Sequence, residues 1–435
     1  MCNQLFSTTY EKGDSMDARL KNIVDESKEK FGLSAYELET YSIHKERNNK
    51  GEAYYKFNME FFPNVLTEPI EEDTNPDGTV VIDYNLQQDI VETVIFVNGK
   101  SYSTKTHFSE KTAEEIAAWI EVETGLTYQT DFKLSEKIEG GFQFKSDVEG
   151  IDITPAGMIE VEFDESGKLT SYNLYDTIPS DVDITKSEFT LTLEEIEPLV
   201  KNQLQLINFP IEAENRFAPV YAMEEVYVPM DGSRWIPFFE HERSEMRVDE
   251  VIEWDVPLIG EPTREEPDFL SEATADEAFG NSGVGEKLVV SDEQVEQSKA
   301  IVRDVLRTVL PKESGQWKLT TLQRHENFIE AVCKMNEKDS SFFNRKFVVL
   351  INPQTMAVVN YFDNGQMFEL FDTFAPAEKA VISHEDAFEK LLSYISLDPV
   401  YVFDTVTEKY ILCGLLDAAE GIDAVTGEVV SLADF

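Results

Sequence analysis

The stretch Glu420 to Val430, EGIDAVTGEVV, constrains this chain more than any other, because it specifies a strand, a tight turn and a second strand within eleven residues. Ile422 closes one apolar run. The Asp423 carboxylate can accept from backbone amides two residues on, Gly427 supplies a left-handed position, and Val429-Val430 resume the strand pattern. The plan recurs. In LINPQTMAVV (Leu350 to Val359), Asn352 stands where Asp423 does and Thr355 where Thr426 does, with Met356 replacing the glycine. A left-handed methionine there costs roughly 1 kcal/mol. A third, shorter version runs from Val161 to Tyr172 as VEFDESGKLTSY, with Asp164 and Gly167 one residue closer together.

Helix-start signals precede these hairpins at regular intervals. Thr112 with Glu115, Thr192 with Glu195, Ser291 with Gln294 and Ser383 with Asp386 are spaced as capping boxes, each followed by apolar residues at helical spacing. Pro198 sits awkwardly inside the second of these, so that helix either kinks or begins later. An additional helix is expected from about Asp14 to Phe31, stopped by Gly32, and strands rich in Tyr and Phe follow it. Asn98-Gly99, after the apolar run from Ile90, reads as a hairpin turn. The division expected is an N-terminal α+β unit over 1–105, a first double-unit block over 106–257, a flexible acidic linker over 258–290, and a second double-unit block over 291–435.

The formal net charge is −48, with 85 acidic against 37 basic residues. Such a surface repels phosphate backbones and anionic lipids, so neither nucleic acid nor a membrane surface is expected as a partner, and a basic protein or peptide is. Cys2, Cys333 and Cys413 allow no disulfide framework or paired-cysteine metal site, which suits a reducing compartment. Met1 to Leu20 has no basic segment followed by an apolar core, and the sequence has no run of about 18 apolar residues. A cytoplasmic location is expected on these grounds, unless a leader precedes the chain.

A Ser/Thr-capped helix followed by antiparallel strands that end in the IDAVTGEVV pattern resembles the PepSY-type domain, and the doubling is similar to the YcdB/YcdC repeated-domain proteins of spore-forming bacteria. The resemblance implies an α+β, cystatin-like fold of repeated helix-plus-antiparallel-sheet units. It also implies a bacterial, non-catalytic role in binding or restraining a protein partner such as a peptidase.

Candidate chemistry is sparse. His44, His107, His241, His325 and His384 include no pair at the spacing that puts two ligands on one helical face. Gly280-Asn281-Ser282-Gly283-Val284-Gly285 has the composition of a phosphate cradle without its strand-loop-helix context, and reads as the tip of a linker. Asp73, Asn75 and Asp77 occupy the first, third and fifth positions of a calcium loop, with Gly78 sixth. Tyr84 stands where the bidentate glutamate belongs, leaving Asp83 as the substitute ligand. The expectation is therefore a non-catalytic protein- or peptide-binding module, with no organic cofactor. The alternative is a calcium-dependent structural protein built on Asp73, Asn75, Asp77 and Asp83; an Asn-Pro-Asp-Gly turn accounts for the same residues without a metal.

Overall fold

The computed structural model describes residues 16–48, 51–65, 75–175, 183–237, 246–265, 272–335, 345–371 and 373–435. It is a mixed α+β structure, dominated by antiparallel sheets, in two compact units. One comprises Met1–Ile184 with Leu270–Lys287, the other Thr185–Phe269 with Leu288–Phe435.

The first unit opens with α1 (Ala18–Lys30), whose N-cap Asp17 accepts from the Arg19 amide. The strands β1 (Tyr36–Arg47), β2 (Ala53–Pro63), β3 (Val80–Asn85) and β4 (Ile90–Phe96) follow as a meander. Helix α2 (Ala113–Thr124) is capped by Thr112, and Gly125 ends it in the left-handed conformation. After it come β5 (Lys133–Ile138), β6 (Gly141–Lys145), a small hairpin of β7 (Asp147–Val148) and β8 (Ile151–Thr154), then β9 (Met158–Phe163) and β10 (Leu169–Tyr175). The two meanders join edge to edge into one sheet ordered β1-β2-β3-β4-β10-β9-β6-β5. Strand β2 alternates strictly: Ala53, Tyr55, Phe57, Met59 and Phe61 are buried, whereas Tyr54, Lys56, Asn58, Glu60 and Phe62 lie on the other face. The helices pack Leu20, Val24, Ile116, Ala117 and Ile120 onto the apolar face.

The two-residue β11 (Ile184–Thr185) falls at the boundary in sequence, and the second unit continues with α3 (Glu197–Gln203). Thr192 and Glu195 exchange their capping hydrogen bonds at 3.0 and 3.4 Å, but the regular helix begins only at Glu197, with Pro198 in its first turn, where a missing N–H costs nothing. Strands β12 (Leu204–Ile211), β13 (Arg216–Met223), β14 (Val226–Pro229), β15 (Ile236–Pro237) and β16 (Met246–Ile252) follow. The chain then contributes α4 (Ala275–Phe279) to the first unit before returning with α5 (Asp292–Val309). The elements β17 (Trp317–Arg324), β18 (Ile329–Met335), β19 (Lys346–Ile351), β20 (Val358–Asp363), α6 (Gly365–Glu369), α7 (His384–Leu391), β21 (Ser396–Asp404), β22 (Lys409–Asp417), β23 (Glu420–Asp423) and β24 (Val429–Ser431) complete it. Strands β16 to β20 form one antiparallel sheet; β14 pairs with β22, and β13 with β23.

Three expectations change. The stretch expected as a flexible linker over 258–290 is, over 272–287, packed on the first unit. Thr274 and Glu277 form a complete capping box, Ala278 is fully buried, the Arg19 guanidinium lies 4.4 Å from the Phe279 ring centre, and the Gly285 amide donates to the Ala53 carbonyl at 3.0 Å. The glycines of 280–285 shape that docked loop, in which the Ser282 carbonyl accepts from the Tyr55 hydroxyl at 2.6 Å. Residues 1–105 and 106–257 do not fold as separate bodies either, because β4 pairs with β10 and the sheet runs through both. Finally, Asn98 and Gly99 both take positive φ, but the chain continues from there toward α2, so the turn serves no hairpin.

The predicted hairpin turns are built alike. Asp423 accepts from the Val425 and Thr426 amides at 2.8 and 2.7 Å, and Asn352 from the Gln354 and Thr355 amides at 2.9 and 3.1 Å. Gly427 at φ 74° and Met356 at φ 55° each donate to the carbonyl of that Asx residue at 2.8 Å, so Met356 does adopt the left-handed position. Asp164 accepts from the Lys168 amide at 3.0 Å in the shorter version. A copy missing from the sequence reading joins β3 to β4, where Asn85 accepts from the Gln87 and Gln88 amides and Asp89 takes φ 60°.

Candidate functional site

The polar face of the eight-stranded sheet follows from its register. Lys56 lies opposite His44 and Asn85, Asn58 opposite Ser42 and Asp83, and Asp83 opposite Thr93. Thr93 faces Asn173 and Ile95 faces Ser171; beyond them Asn173 faces Glu160 and Ser171 faces Glu162. Because side chains alternate along each strand, these residues share one face, opposite the helices.

At one end of this face a cleft of about 650 Å³ opens, within the size range of ligand sites. Arg47, Glu52, Tyr54, Lys56, Glu92 and Tyr175 line its polar parts, with Ala53, Ile90, Leu126 and Leu174 among the apolar ones. It exists because β4 and β10 pair over only three residues each, Thr93 to Ile95 against Ser171 to Asn173, while β4 begins at Ile90 and β10 runs to Tyr175. Val284 and Gly285, from the docked 272–287 segment, close another side.

The cations of the cleft are already engaged. Lys56 Nζ lies 2.8 Å from Glu46 and 3.4 Å from Glu92, and Arg47 donates to the Gly51 carbonyl at 2.9 Å and to the Glu286 carbonyl. Burial works against the Lys56 charge, but hydrogen bonding to Glu46 and the surrounding negative groups raise its pKa. Glu92 gains less: burial pushes its carboxyl upward despite a 2.7 Å hydrogen bond from Asn85 and the more distant Lys56. Burial likewise raises Asp83, which accepts from Asn58 at 2.7 Å. Glu162 rises through burial and repulsion from Glu160, and neither of these two half-buried carboxylates has a cationic partner among the described residues. The phenols report the same field. Tyr175 is raised by burial and then by Glu160 and Glu162, and Tyr54 by burial and then Glu92.

The candidate calcium residues are not gathered into one loop. Asp73 lies outside the described residues. Asn75 precedes the turn, and Asp77 accepts from the Asn98 amide nitrogen at 2.5 Å and pairs with Lys100. Asp83 stands three residues beyond Val80 in β3, about 10 Å along the strand. Among the described residues no group of three or more His, Cys, Asp or Glu side chains is placed to hold a metal ion. His44 bonds Ser42 at 2.8 Å, His325 stacks on Phe328 at 4.4 Å, and His384 contacts the Leu204 carbonyl at 3.0 Å. His241 lies outside the described residues.

Sequence reading missed Glu160, Glu162, Glu92, Tyr54 and Tyr175. Its available signal was the alternation in Met158-Ile159-Glu160-Val161-Glu162-Phe163, which places both glutamates on one face of a strand whose other face is buried. No described helix is long and apolar enough to cross a membrane.

No family model matches this chain, and no curated protein matches it. Among solved structures the chain is similar to the C-terminal domain of Bacillus megaterium YpeB, at 11% identity and a TM-score of 0.25, with 81% of this chain and 99% of that one covered.

Proposed function

We propose that this protein is a non-catalytic binding module whose first unit holds an extended, basic segment of a protein or peptide against the polar sheet face, at the cleft between β4 and β10. The observation that carries the reading is the pair Glu160 and Glu162: half-buried, adjacent on one face, without a cation among the described residues, and close enough to Tyr175 at the cleft wall to raise its phenol. A lysine or arginine arriving there relieves the repulsion between the two carboxylates. The overall charge of −48 steers such a partner toward the protein.

We also read the chain as five versions of one PepSY-like plan, a helix followed by four antiparallel strands, led by α1, α2, α3, α5 and α7. Support comes from the Asx residues Asn85, Asp164, Asn352 and Asp423, which cap the connection between the third and fourth main strands in four of the five.

Carbodiimide coupling of the full-length protein to an acetylated octalysine peptide, with the adducts mapped by mass spectrometry, tests the binding site. The reading predicts adducts concentrated at Glu160, Glu162 and Glu52 at low peptide concentration. Adducts spread over the exposed carboxylates without enrichment there contradict it.

A further inference from the structure

The seam between β4 and β10 has a property that the acidic face alone does not supply: unused strand edges. An antiparallel ladder continues as long as both strands stay within pairing distance. Here it stops after Asn173 and Thr93, although β4 extends back through Glu92 and Val91 to Ile90 and β10 extends forward through Leu174 to Tyr175. On its other side β4 stays paired with β3 as far as Ile90, opposite Asn85. On its other side β10 stays paired with β9 as far as Tyr175, opposite Met158. Each strand therefore stays held by its outer neighbour where the two part company, β4 with a bulge at Glu92 between the Asp83–Thr93 and Tyr84–Val91 pairs, and leaves a backbone edge toward the cleft.

We infer that the bound segment enters this seam as an added β-strand, taking main-chain hydrogen bonds from the edge of β4 over Ile90 to Glu92 where β10 has diverged. The inference rests on the cleft being the binding site and adds the mode of recognition. Strand addition draws its affinity from main-chain hydrogen bonds and its selectivity from alternate side chains. Leu174, packed with Val91 against the helix-side core, offers apolar contact on one side, while Ile90, Glu92, Tyr175 and the nearby Glu160 and Glu162 face the other. An alternating sequence, basic toward the carboxylates and β-branched toward the apolar wall, suits that asymmetry. The segment must be extended, because a helix exposes no main-chain donors along its length to such an edge.

The probe is an acetylated, amidated octapeptide alternating lysine and threonine, with two derivatives N-methylated at every second backbone nitrogen, one in each phase. All three are titrated against the full chain, and amide hydrogen exchange is followed in segments covering 90–95 and 171–175. The expected result is slower exchange at Val91 and Glu92 with the unmodified peptide, and at least tenfold weaker binding of one or both N-methylated derivatives. Equal affinity of all three peptides, with carbodiimide adducts still at Glu160 and Glu162, overturns strand addition while leaving the binding site in place. Protection of Val91 and Glu92 equal to that of Val94 before any peptide is added also overturns it, since the edge is then already filled. Absence of binding by every peptide removes both this mode and the site.

Discussion

Carboxylates in the turns and carboxylates on the sheet face of this protein do opposite things. In the turns they hold the backbone. Burial opposes ionisation of Asp404, yet hydrogen bonds from Arg234 at 2.8 Å, Thr407 at 2.9 Å and the Val406 amide keep its pKa below the ordinary range. Asp164 is held down in the same way by Ser166 and the Lys168 amide. On the sheet face burial prevails, and Asp83, Glu92 and Glu162 are pushed up. The first group stabilises the fold at neutral pH; the second costs stability there. A face that keeps charges at such a cost is the one to which the proposed binding is assigned.

The largest effect belongs to the turns. Asp404 is 3% exposed, so Asp404→Ala leaves Arg234 and Thr407 without their acceptor and is expected to cost about 2–4 kcal/mol, measured by urea unfolding. A loss below about 0.5 kcal/mol would remove the contrast with the face. Next comes the Gly427 turn. At φ 74°, with an added Cβ only 3.0 Å from the Ile382 side chain, Gly427→Ala is expected to cost about 1–2 kcal/mol. The matching position of the Asn352 turn carries Met356, which packs against the core of the β16–β20 sheet and so offsets part of the same backbone strain.

The pH dependence separates the two groups by sign. A carboxyl with a lowered folded-state pKa contributes stability that is fully present above its unfolded value, about 4, and is lost as pH falls through the folded value. For Asp404 that places the loss in acid below about pH 4, and Asp404→Asn should flatten this part of the stability curve. Asp83, Glu92 and Glu162 behave in reverse: their cost, present at neutral pH, is relieved as pH falls through their raised folded values toward about 4. Urea midpoints collected from pH 7 to pH 3 for the parent and for Glu162→Gln test this, the variant losing the gain on mild acidification. The smallest effect on stability belongs to the double change Glu160→Gln with Glu162→Gln, which removes a like-charge pair and is expected to leave stability unchanged or raise it by up to about 0.5 kcal/mol.

Much of the local plan was legible in the sequence because it is written in short-range chemistry. Thr112, Ser291 and Ser383 cap helices as their spacing indicates, and Asn352 and Asp423 build the same turn even though one carries methionine where the other carries glycine. Which edges meet was not legible. The pairings β4 with β10 and β13 with β23 join residues far apart in sequence, and hydrophobic alternation specifies a face without specifying a neighbour. The segment 272–287 was misread for a related reason: its glycines and acids match a linker in composition, and only its contacts with Tyr55, Ala53 and Phe279's partner Arg19 show it to be docked. The cleft was invisible because it arises where a ladder stops.

The most direct test measures affinity and stability on the same double variant, Glu160→Gln with Glu162→Gln, using the alternating lysine-threonine peptide in low salt and thermal unfolding without peptide. The account predicts at least tenfold weaker binding together with unchanged or slightly higher stability. Undiminished binding, or a loss of stability as large as that of Asp404→Ala, would contradict it, since the two glutamates would then be either irrelevant to recognition or part of the scaffold.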